Sequence, residues 1–490
     1  MILTLAWKAL VAHPVRTVVL GVGFGLGVGV MATLLGVGEV VLEQARAPVL
    51  VGGGQLVMNG AAGTVTSARY AVAMLQRMGV PGGHTTTTSS TALSSVVASP
   101  RKRADLFLVR DGTVVPIHAR GGIPSLERAL GDPETAGVAA WIDTSADTAW
   151  SRPAAGDVLR AMDRFHAIPD VPARAASWVE WLYFRGQLDR GAASTPAAGS
   201  ASAPAITQFY LAFLVGPRRE DGRRMATVRL QLDRSGEVAS YVDAEAVDEA
   251  ALLASAPDLT IGRSHVRLEG LRYHVTLDLS GGTDASPRSR VSGEIFIDAI
   301  AGRSLPPIVI RGAGGWLSGY TVPVMSGHLS GSLAIGDAHV TLAGSAYHDH
   351  NWGFWEGVSW RWGQVQHGGL SYIYGRVLPP PDAADPERSP GVLIALGPDG
   401  PVGYSTRVSI EETDDPVTHQ PRRIVVQGRG PSLDLTLDLA VESAIVNRGR
   451  TLGSGSDFLQ LHARYHVTGR AGGQRIDFTE EGAAETFRGR

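Results

Sequence analysis

From about Ala175 onward, polar and apolar side chains alternate with a period of two, and this pattern constrains the fold more than any other feature. In Thr227-Val228-Arg229-Leu230-Gln231-Leu232 the Val and Leu residues share one face and the polar groups the other. Val266 to Leu279, Ser292 to Asp298, Leu433 to Val441 and Phe458 to Val467 read the same way. Successive side chains of a strand point to opposite faces, so each segment is predicted to be a half-buried strand. Turn-formers separate them: Gly281-Gly282, Pro398-Asp399-Gly400 and Ala471-Gly472-Gly473. Many half-buried strands at short spacing imply antiparallel sandwiches or barrels. The Ala192–Ala205 tract, rich in Ala, Ser, Pro and Gly, reads as a long hairpin loop. A boundary near residues 325–335 divides the region into two β domains, 175–328 and 329–490.

The chain has 490 residues, too many for one ordinary core, and its 44% apolar content can fill more than one. It has no cysteine, which excludes disulfides, zinc–thiolate sites and cysteine nucleophiles. Net charge is −3, without a long basic stripe. The clusters Arg101-Lys102-Arg103 and Arg218-Arg219…Arg223-Arg224 read as solvated loops, so no nucleic-acid partner is expected.

Thr17 to Gly38 carries no charge. A helix crossing a bilayer needs about 20 such residues. Lys8 and Arg16 precede the run, and Glu39 and Glu43 follow it. The positive-inside bias then puts residues 1–47 at the inner (cytoplasmic) membrane as a cytoplasmic N-terminus with a single span, and the bulk of the chain in the periplasm or outside the cell. The run exceeds the apolar region of a signal peptide, and its late Ala45-Arg46-Ala47 is followed by Pro48, so an uncleaved anchor is expected. Gly21, Gly25 and Gly29 share one helical face, which suits packing against another membrane helix as well as a glycine-tolerant anchor without a partner. Residues 48–174 form a mixed juxtamembrane region, with short helices expected at Ala68 to Met78 and Gly156 to His166 and no chemical signature.

Tyr347-His348-Asp349-His350-Asn351-Trp352-Gly353 is the densest set of reactive side chains. Alternation puts His348, His350 and Trp352 on the face of Val340 and Leu342, with Tyr347 and Asp349 opposite. The next strand, Ser359 to His367, aligns Trp360, Trp362, Gln364 and Gln366; the one after aligns Leu370, Tyr372, Tyr374 and Arg376. Three neighbouring strands thus offer one wall of Trp, Tyr and His, suited to a long apolar ligand oriented by sparse polar groups. His348 and His350 could be half of a metal site, but spacing fixes no third ligand, so neither a metal nor a cofactor is expected. Plain core packing is the other reading of the aromatics.

The heptapeptide, followed by Trp360-Arg361-Trp362-Gly363, resembles the hallmark of the carotenoid 1,2-hydratase (hydroxyneurosporene synthase) family, whose wider relatives include AttH-like proteins and fungal lipocalin-like pericyclases. Ser326-Gly327-His328-Leu329-Ser330-Gly331 and Trp178-Val179-Glu180-Trp181-Leu182-Tyr183-Phe184-Arg185-Gly186 are similar to its earlier motifs, and Glu485 to its closing strand. The resemblance implies a mostly β protein with two lipocalin-like antiparallel β-barrel domains and a hydrophobic ligand, a carotenoid, terpenoid or lipid, bound at or between them. It implies ligand-binding roles for Trp181 and Tyr183 beside His348, Trp352, Trp360, Trp362 and Gln364. It assigns the family's His and Trp to His350 and Trp352. It also calls for a Tyr-x-Asp pair where this chain has Tyr372-Ile373-Tyr374. Leu5-Ala6-Trp7-Lys8 with the glycine-rich span resembles the first membrane helix of FtsX-like ABC-exporter permeases, which implies such a permease as partner.

Alkene hydration needs a proton donor, surroundings that tolerate a carbocation, and a positioned water. Trp352, Trp360 and Trp362 supply aromatic faces; Asp349 or His350 supplies the proton, and Tyr372 or Tyr374 orients the water. The alternative is a non-catalytic ligand carrier or exporter accessory.

Overall fold

The computed structural model describes residues 71–72, 97–110, 113–132, 140–151, 154–189, 194–195, 206–234, 237–280, 290–398, 400–448 and 457–488. The apolar run 17–38 and the helix expected at Ala68 to Met78 lie outside these residues, save 71–72, which are helical. Among the described residues no helix is long and apolar enough to cross a membrane. Residues 97–147 belong to one compact unit and residues 148–490 to another.

In the smaller unit, β1 (Lys102–Arg110) and β2 (Thr113–Gly121) form an antiparallel hairpin. The helix Pro124–Ala129 follows, with Pro124 in the first turn, where a missing N–H costs nothing. Its Glu127 is buried and receives the Arg101 guanidinium at 2.6 and 2.9 Å. The first basic cluster is therefore partly a packing device.

The larger unit holds two sheets. The first contains β3 (Trp178–Leu188), β4 (Ser194–Thr195), β5 (Gln208–Arg218), β6 (Arg224–Arg234), β7 (Glu237–Val247) and β8 (Leu259–Ile261). It continues with β9 (Ser264–Glu269), β10 (Arg272–Leu279), β11 (Val291–Ala299), β12 (Leu305–Arg311), β13 (Leu317–Ile335) and β14 (Ala338–Phe354). Its order is β7-β6-β5-β3-β14-β13-β11-β10-β9-β8, with β12 on β13 and β4 on β14. The second contains β15 (Ser359–His367), β16 (Leu370–Leu378), β17 (Val392–Gly397), β18 (Gly400–Ser405) and β19 (Arg407–Asp414). β20 (Pro421–Arg429), β21 (Leu433–Arg448), β22 (Asp457–Ala471) and β23 (Gln474–Arg488) complete it, in the order β18-β17-β16-β15-β23-β22-β21-β20-β19. In each sheet the end strands approach one another, so the protein is mostly β, with two nearly closed antiparallel barrels.

The alternation read from the sequence is the alternation of burial: β10 runs exposed–buried along its length, with Tyr273, Val275, Leu277 and Leu279 inside. Each such side chain contributes about 1.5–3 kcal/mol by leaving water. β3 breaks the rule, being buried along both faces. Leu182 and Phe184 fill the first barrel, while Val179, Trp181 and Tyr183 pack toward the second. A strand sandwiched between two barrels has no wet face.

Three expectations need correction. Val266 to Leu279 is a hairpin, β9 and β10, turning at Gly270 (φ 64°), and the buried positions change phase across the turn, from Val266 and Leu268 to Tyr273, Val275, Leu277 and Leu279. The two sheets part at residues 355–358, not at 328/329, since β13 and β14 are long strands of the first barrel. Residues 148–174 are not a juxtamembrane extension: the helix Ala155–Met162 falls in the β unit, and its Leu159 joins the first barrel's core with Phe165.

Candidate functional site

β14 runs between β3 and β13, and its two faces look into different chemistry. As alternation predicts, His348 and His350 lie on the face of Val340 and Leu342, inside the first barrel. Asp349 and Tyr347 point into the layer between the barrels. Gly319, across from Trp352 on β13, leaves room for that indole: a Cβ there would lie 2.0 Å from the ring.

Inside the first barrel the two imidazoles meet Asp163, which follows the helix Ala155–Met162, and Glu180 of β3; all four are fully buried. Asp163 takes His348 Nε2 at 2.9 Å and His350 Nδ1 at 2.8 Å, and accepts the Tyr273 hydroxyl at 2.8 Å. Glu180 takes His350 Nε2 at 3.0 Å and His166 Nδ1 at 2.7 Å, and accepts the His166 backbone N–H at 3.0 Å. Buried Arg224 lies 3.8 Å from Glu180. The expectation of a solvated Arg223-Arg224 loop therefore fails at Arg224, which starts β6 and is drawn inward by that carboxylate. Burial alone would raise both carboxyls. At Asp163 the charge and hydrogen bonds of His348 and His350 outweigh it and hold the group well below the usual range. At Glu180, His166 and His350 do the same and bring it down to about 2. Burial disfavours the His350 cation, but its bonds to Asp163 and Glu180 prevail and lift it to about 9. The cluster is a charge-balanced ionic core.

The layer between the barrels is built differently. Trp181, Tyr183 and Tyr210 come from the first barrel, Trp362, Phe458 and Phe487 from the second, with Trp360 packed against them. One hydrogen-bond chain crosses it in a single direction: Trp362 Nε1 donates to the Tyr320 hydroxyl (2.8 Å), Tyr320 meets the Tyr347 hydroxyl (2.8 Å), and Tyr347 donates to Asp349 (2.9 Å). Asn351 donates to the other Asp349 oxygen at 2.9 Å. A second chain runs from Gln231 through Asn447 and Gln460 to the Tyr183 hydroxyl, each step 2.9 Å. Glu485 of β23 enters beside Trp362 and Gln460.

No cation neutralises these two carboxyls at contact distance among the described residues. Burial therefore dominates. Asp349 is raised well above its ordinary value by burial and by the charge of Glu485, against the weaker pull of Tyr347, His350 and Asn351. Burial lifts Glu485 to about 7, opposed by hydrogen bonds from Tyr183 and Trp360 and by the charge of Arg185. Burial, with the Asp349 charge added for Tyr320 and Tyr347, holds Tyr183, Tyr320 and Tyr347 far above ordinary phenols, so they remain neutral donors. Glu485 Oε1, Trp181 Nε1 and Gln364 Oε1 are buried without hydrogen-bond partners, an arrangement that a packed core avoids.

The single wall expected from the sequence is thus divided among separate places. His348 and His350 serve the first barrel's ionic core. Trp352 sits at that barrel's end, stacked on His166 with ring centroids 4.1 Å apart, beside Trp178, Trp316 and Phe354. Trp181, Tyr183, Trp360, Trp362 and Gln364 do gather around Asp349 and Glu485 in the layer. Tyr372 and Tyr374 point into the second barrel's core, where burial raises Tyr372 to about 12 and Tyr374 further. They do not face Asp349, because the β15–β16 register sets Ile373 opposite Gln364 on the layer side and puts Tyr372 and Tyr374 on the barrel-core face with Val365. Asp163 and His166 carried no sequence signal. Glu485 did, only through the similarity of Gly482-Ala483-Ala484-Glu485 to the closing strand of the family that the sequence resembles.

Ligand atoms of His166, Glu180 and His350 lie within 4.8 Å of one another, which would admit a metal ion. Their 2.7 and 3.0 Å contacts are hydrogen-bond separations, and Arg224 already offsets Glu180.

No family model matches the chain, and no curated protein does. Solved structures similar to it include a protein described as an AttH from Nitrosomonas europaea, 15% identical over 64% of this chain and 92% of that one, with a TM-score of 0.40. CghA is 13% identical over 63% of this chain and 88% of its own, at 0.39. Kievitone hydratase from Nectria haematococca is 12% identical over 63% and 88%, at 0.40. The helix resembling that of FtsX-like permeases lies outside the described residues. At these identities and TM-scores the likeness carries no chemistry, so the geometry of the layer has to.

Proposed function

We propose that the chain is hydratase-like, adding water across an isolated double bond of a long apolar ligand held between the two barrels. The observation that carries this is the pair of buried carboxyls, Asp349 and Glu485, electrostatically coupled and raised by burial among Trp and Tyr rings. Asp349, kept neutral, donates its proton to one alkene carbon, and the neighbouring carbon becomes cationic. Trp181, Trp360 and Trp362 face that charge, each contributing about 0.5–2 kcal/mol. Water attacks the cation and releases a proton to Glu485, whose value near 7 suits a base at neutral pH. Exchange with solvent returns the pair to its starting state. The net change is addition of one water.

His350 takes no part in this reading, since it lies on the other face of β14. The uncharged run from Thr17 to Gly38 supports anchoring at the membrane into which such a ligand partitions. A second reading, binding without chemistry, is favoured by the placement of Tyr372 and Tyr374 away from the layer. Incubation of the full chain with an acyclic carotenoid in oxygen-18 water separates the two. The hydratase reading expects a product heavier by one labelled water, lost in both Asp349→Asn and Glu485→Gln. Retention of unchanged carotenoid by wild type leaves the carrier; undiminished turnover in both variants rules out the carboxyl pair.

A further inference from the structure

Arg185 lies on the layer-facing side of β3, next to Tyr347 of β14 and Tyr210 of β5. It is only 5% exposed, yet no carboxylate lies within ion-pair distance of it among the described residues. Its NH2 group donates to two amide oxygens, Gln187 Oε1 at 2.9 Å and Gln208 Oε1 at 3.0 Å. Gln208 is held in turn by the Tyr210 hydroxyl and by Asp233. The Nε–H of Arg185 is buried and makes no hydrogen bond. His462 of β22 feels its charge; burial and that charge favour the neutral imidazole, which keeps its proton on Nε2 toward Glu442 and Glu481, so its buried Nδ1 presents a lone pair and no N–H.

Buried guanidinium groups are normally paired, because leaving the cation uncompensated costs several kcal/mol. Gln187 and Gln208 orient this one without neutralising it. A buried guanidinium N–H without a partner, beside a layer of aromatic rings, is the complement of a small oxyanion attached to an apolar body. We propose that Arg185 binds the carboxylate of an amphipathic substrate whose hydrocarbon lies in the layer. This rests on the layer being a ligand site, and it narrows the ligand from any long hydrocarbon to a long-chain or terpenoid acid. Arg185 and Tyr183 are two residues apart on one strand face, about 6–7 Å along it. An acid anchored at Arg185 therefore carries its double bond past Asp349, which pairs with Tyr183. The anchor sets the position of hydration along the chain.

Parinaric acid, a conjugated polyene acid whose fluorescence rises in apolar surroundings, and its methyl ester form a matched pair of probes for the full chain. The carboxylate anchor expects the acid to bind wild type at least about tenfold more tightly than the ester, the scale of one charge-assisted hydrogen bond. Arg185→Gln brings the acid down to the ester; a preference for the acid that persists undiminished in Arg185→Gln overturns Arg185 as the anchor. Equal binding of acid and ester to wild type overturns the anchor while leaving an apolar ligand site, and needs no variant to fold. If neither probe binds, the ligand layer itself is wrong and the anchor falls with it.

Discussion

Asp349 and His350 are consecutive residues of one strand, yet they belong to regions that treat a buried carboxyl in opposite ways. Inside the first barrel, Asp163 and Glu180 are surrounded by His348, His350, His166 and Arg224 and stay ionised. In the layer, Asp349 and Glu485 are surrounded by phenols, indoles and amides and are pushed toward the neutral acid. Burial is equally complete in both. What differs is whether an imidazolium or guanidinium stands at contact distance, since a charge at 3 Å in low dielectric outweighs desolvation and a hydroxyl does not. The ionised carboxylates of the cluster are occupied by the imidazoles that neutralise them, although Arg224 keeps one buried nitrogen without a partner. A neutral acid with unsatisfied neighbours has a proton to give and a lone pair to spare. The first region holds the barrel together; the second keeps the neutral acid that the proposed reaction calls for.

The largest test of this contrast is a matched pair of isosteric substitutions. Asp163→Asn leaves His348 without a carboxylate partner and His350 with Glu180 alone, and is expected to cost about 3–5 kcal/mol in urea unfolding. Asp349→Asn replaces a neutral acid by a neutral amide and is expected to change stability by less than about 1 kcal/mol. The reverse ranking breaks the comparison.

The pH dependence of stability sharpens it. Raised in the fold from 6.5 to about 9, His350 contributes fully below 6.5, and that contribution disappears as pH climbs through 9. Glu180, lowered from 4.5 to about 2, contributes above 4.5 and loses this as pH falls through 2. Glu485, raised from 4.5 to about 7, favours the fold below 4.5 and surrenders that as pH climbs through 7. Glu485→Gln should therefore remove a decline of about 1–3 kcal/mol between pH 4.5 and 7, and leave the decline toward pH 9 intact. Chemical denaturation at stepped pH reads both windows.

The smallest effect belongs to the donor chain. Tyr347→Phe removes one hydrogen bond to Asp349 and is expected to cost about 0.5–1.5 kcal/mol in stability, while moving the alkaline limb of any hydration profile, where the Asp349 acid loses its proton, to higher pH, since one group that favours the carboxylate is gone. An unchanged profile would detach Tyr347 from Asp349 function.

Much of this was legible in the sequence, strand by strand. Alternation put His348 and His350 on one face of β14 and Asp349 on the other, and it grouped Trp360, Trp362 and Gln364 correctly. It did not tell which strands share a sheet. β14 and β15 follow one another in sequence but belong to different barrels, so a wall drawn across them was split. Long-range pairing also brings Glu485, from the last strand, beside Trp362, and supplies a carboxyl that the Tyr372-Ile373-Tyr374 segment lacks. Asp163 was invisible for another reason: it ends a short helix whose only distinction is what it packs on.

The central claim is that the layer holds neutral carboxyl groups and the first barrel does not. Difference infrared spectroscopy of the carboxyl C=O band, recorded between pH 5 and 9, measures this directly. The account expects a protonated carboxyl titrating near pH 7 that disappears in Glu485→Gln, and a second, from Asp349, that disappears in Asp349→Asn, with no such band altered by Asp163→Asn. Absence of any protonated carboxyl at pH 5, or a band that vanishes with Asp163, would contradict it.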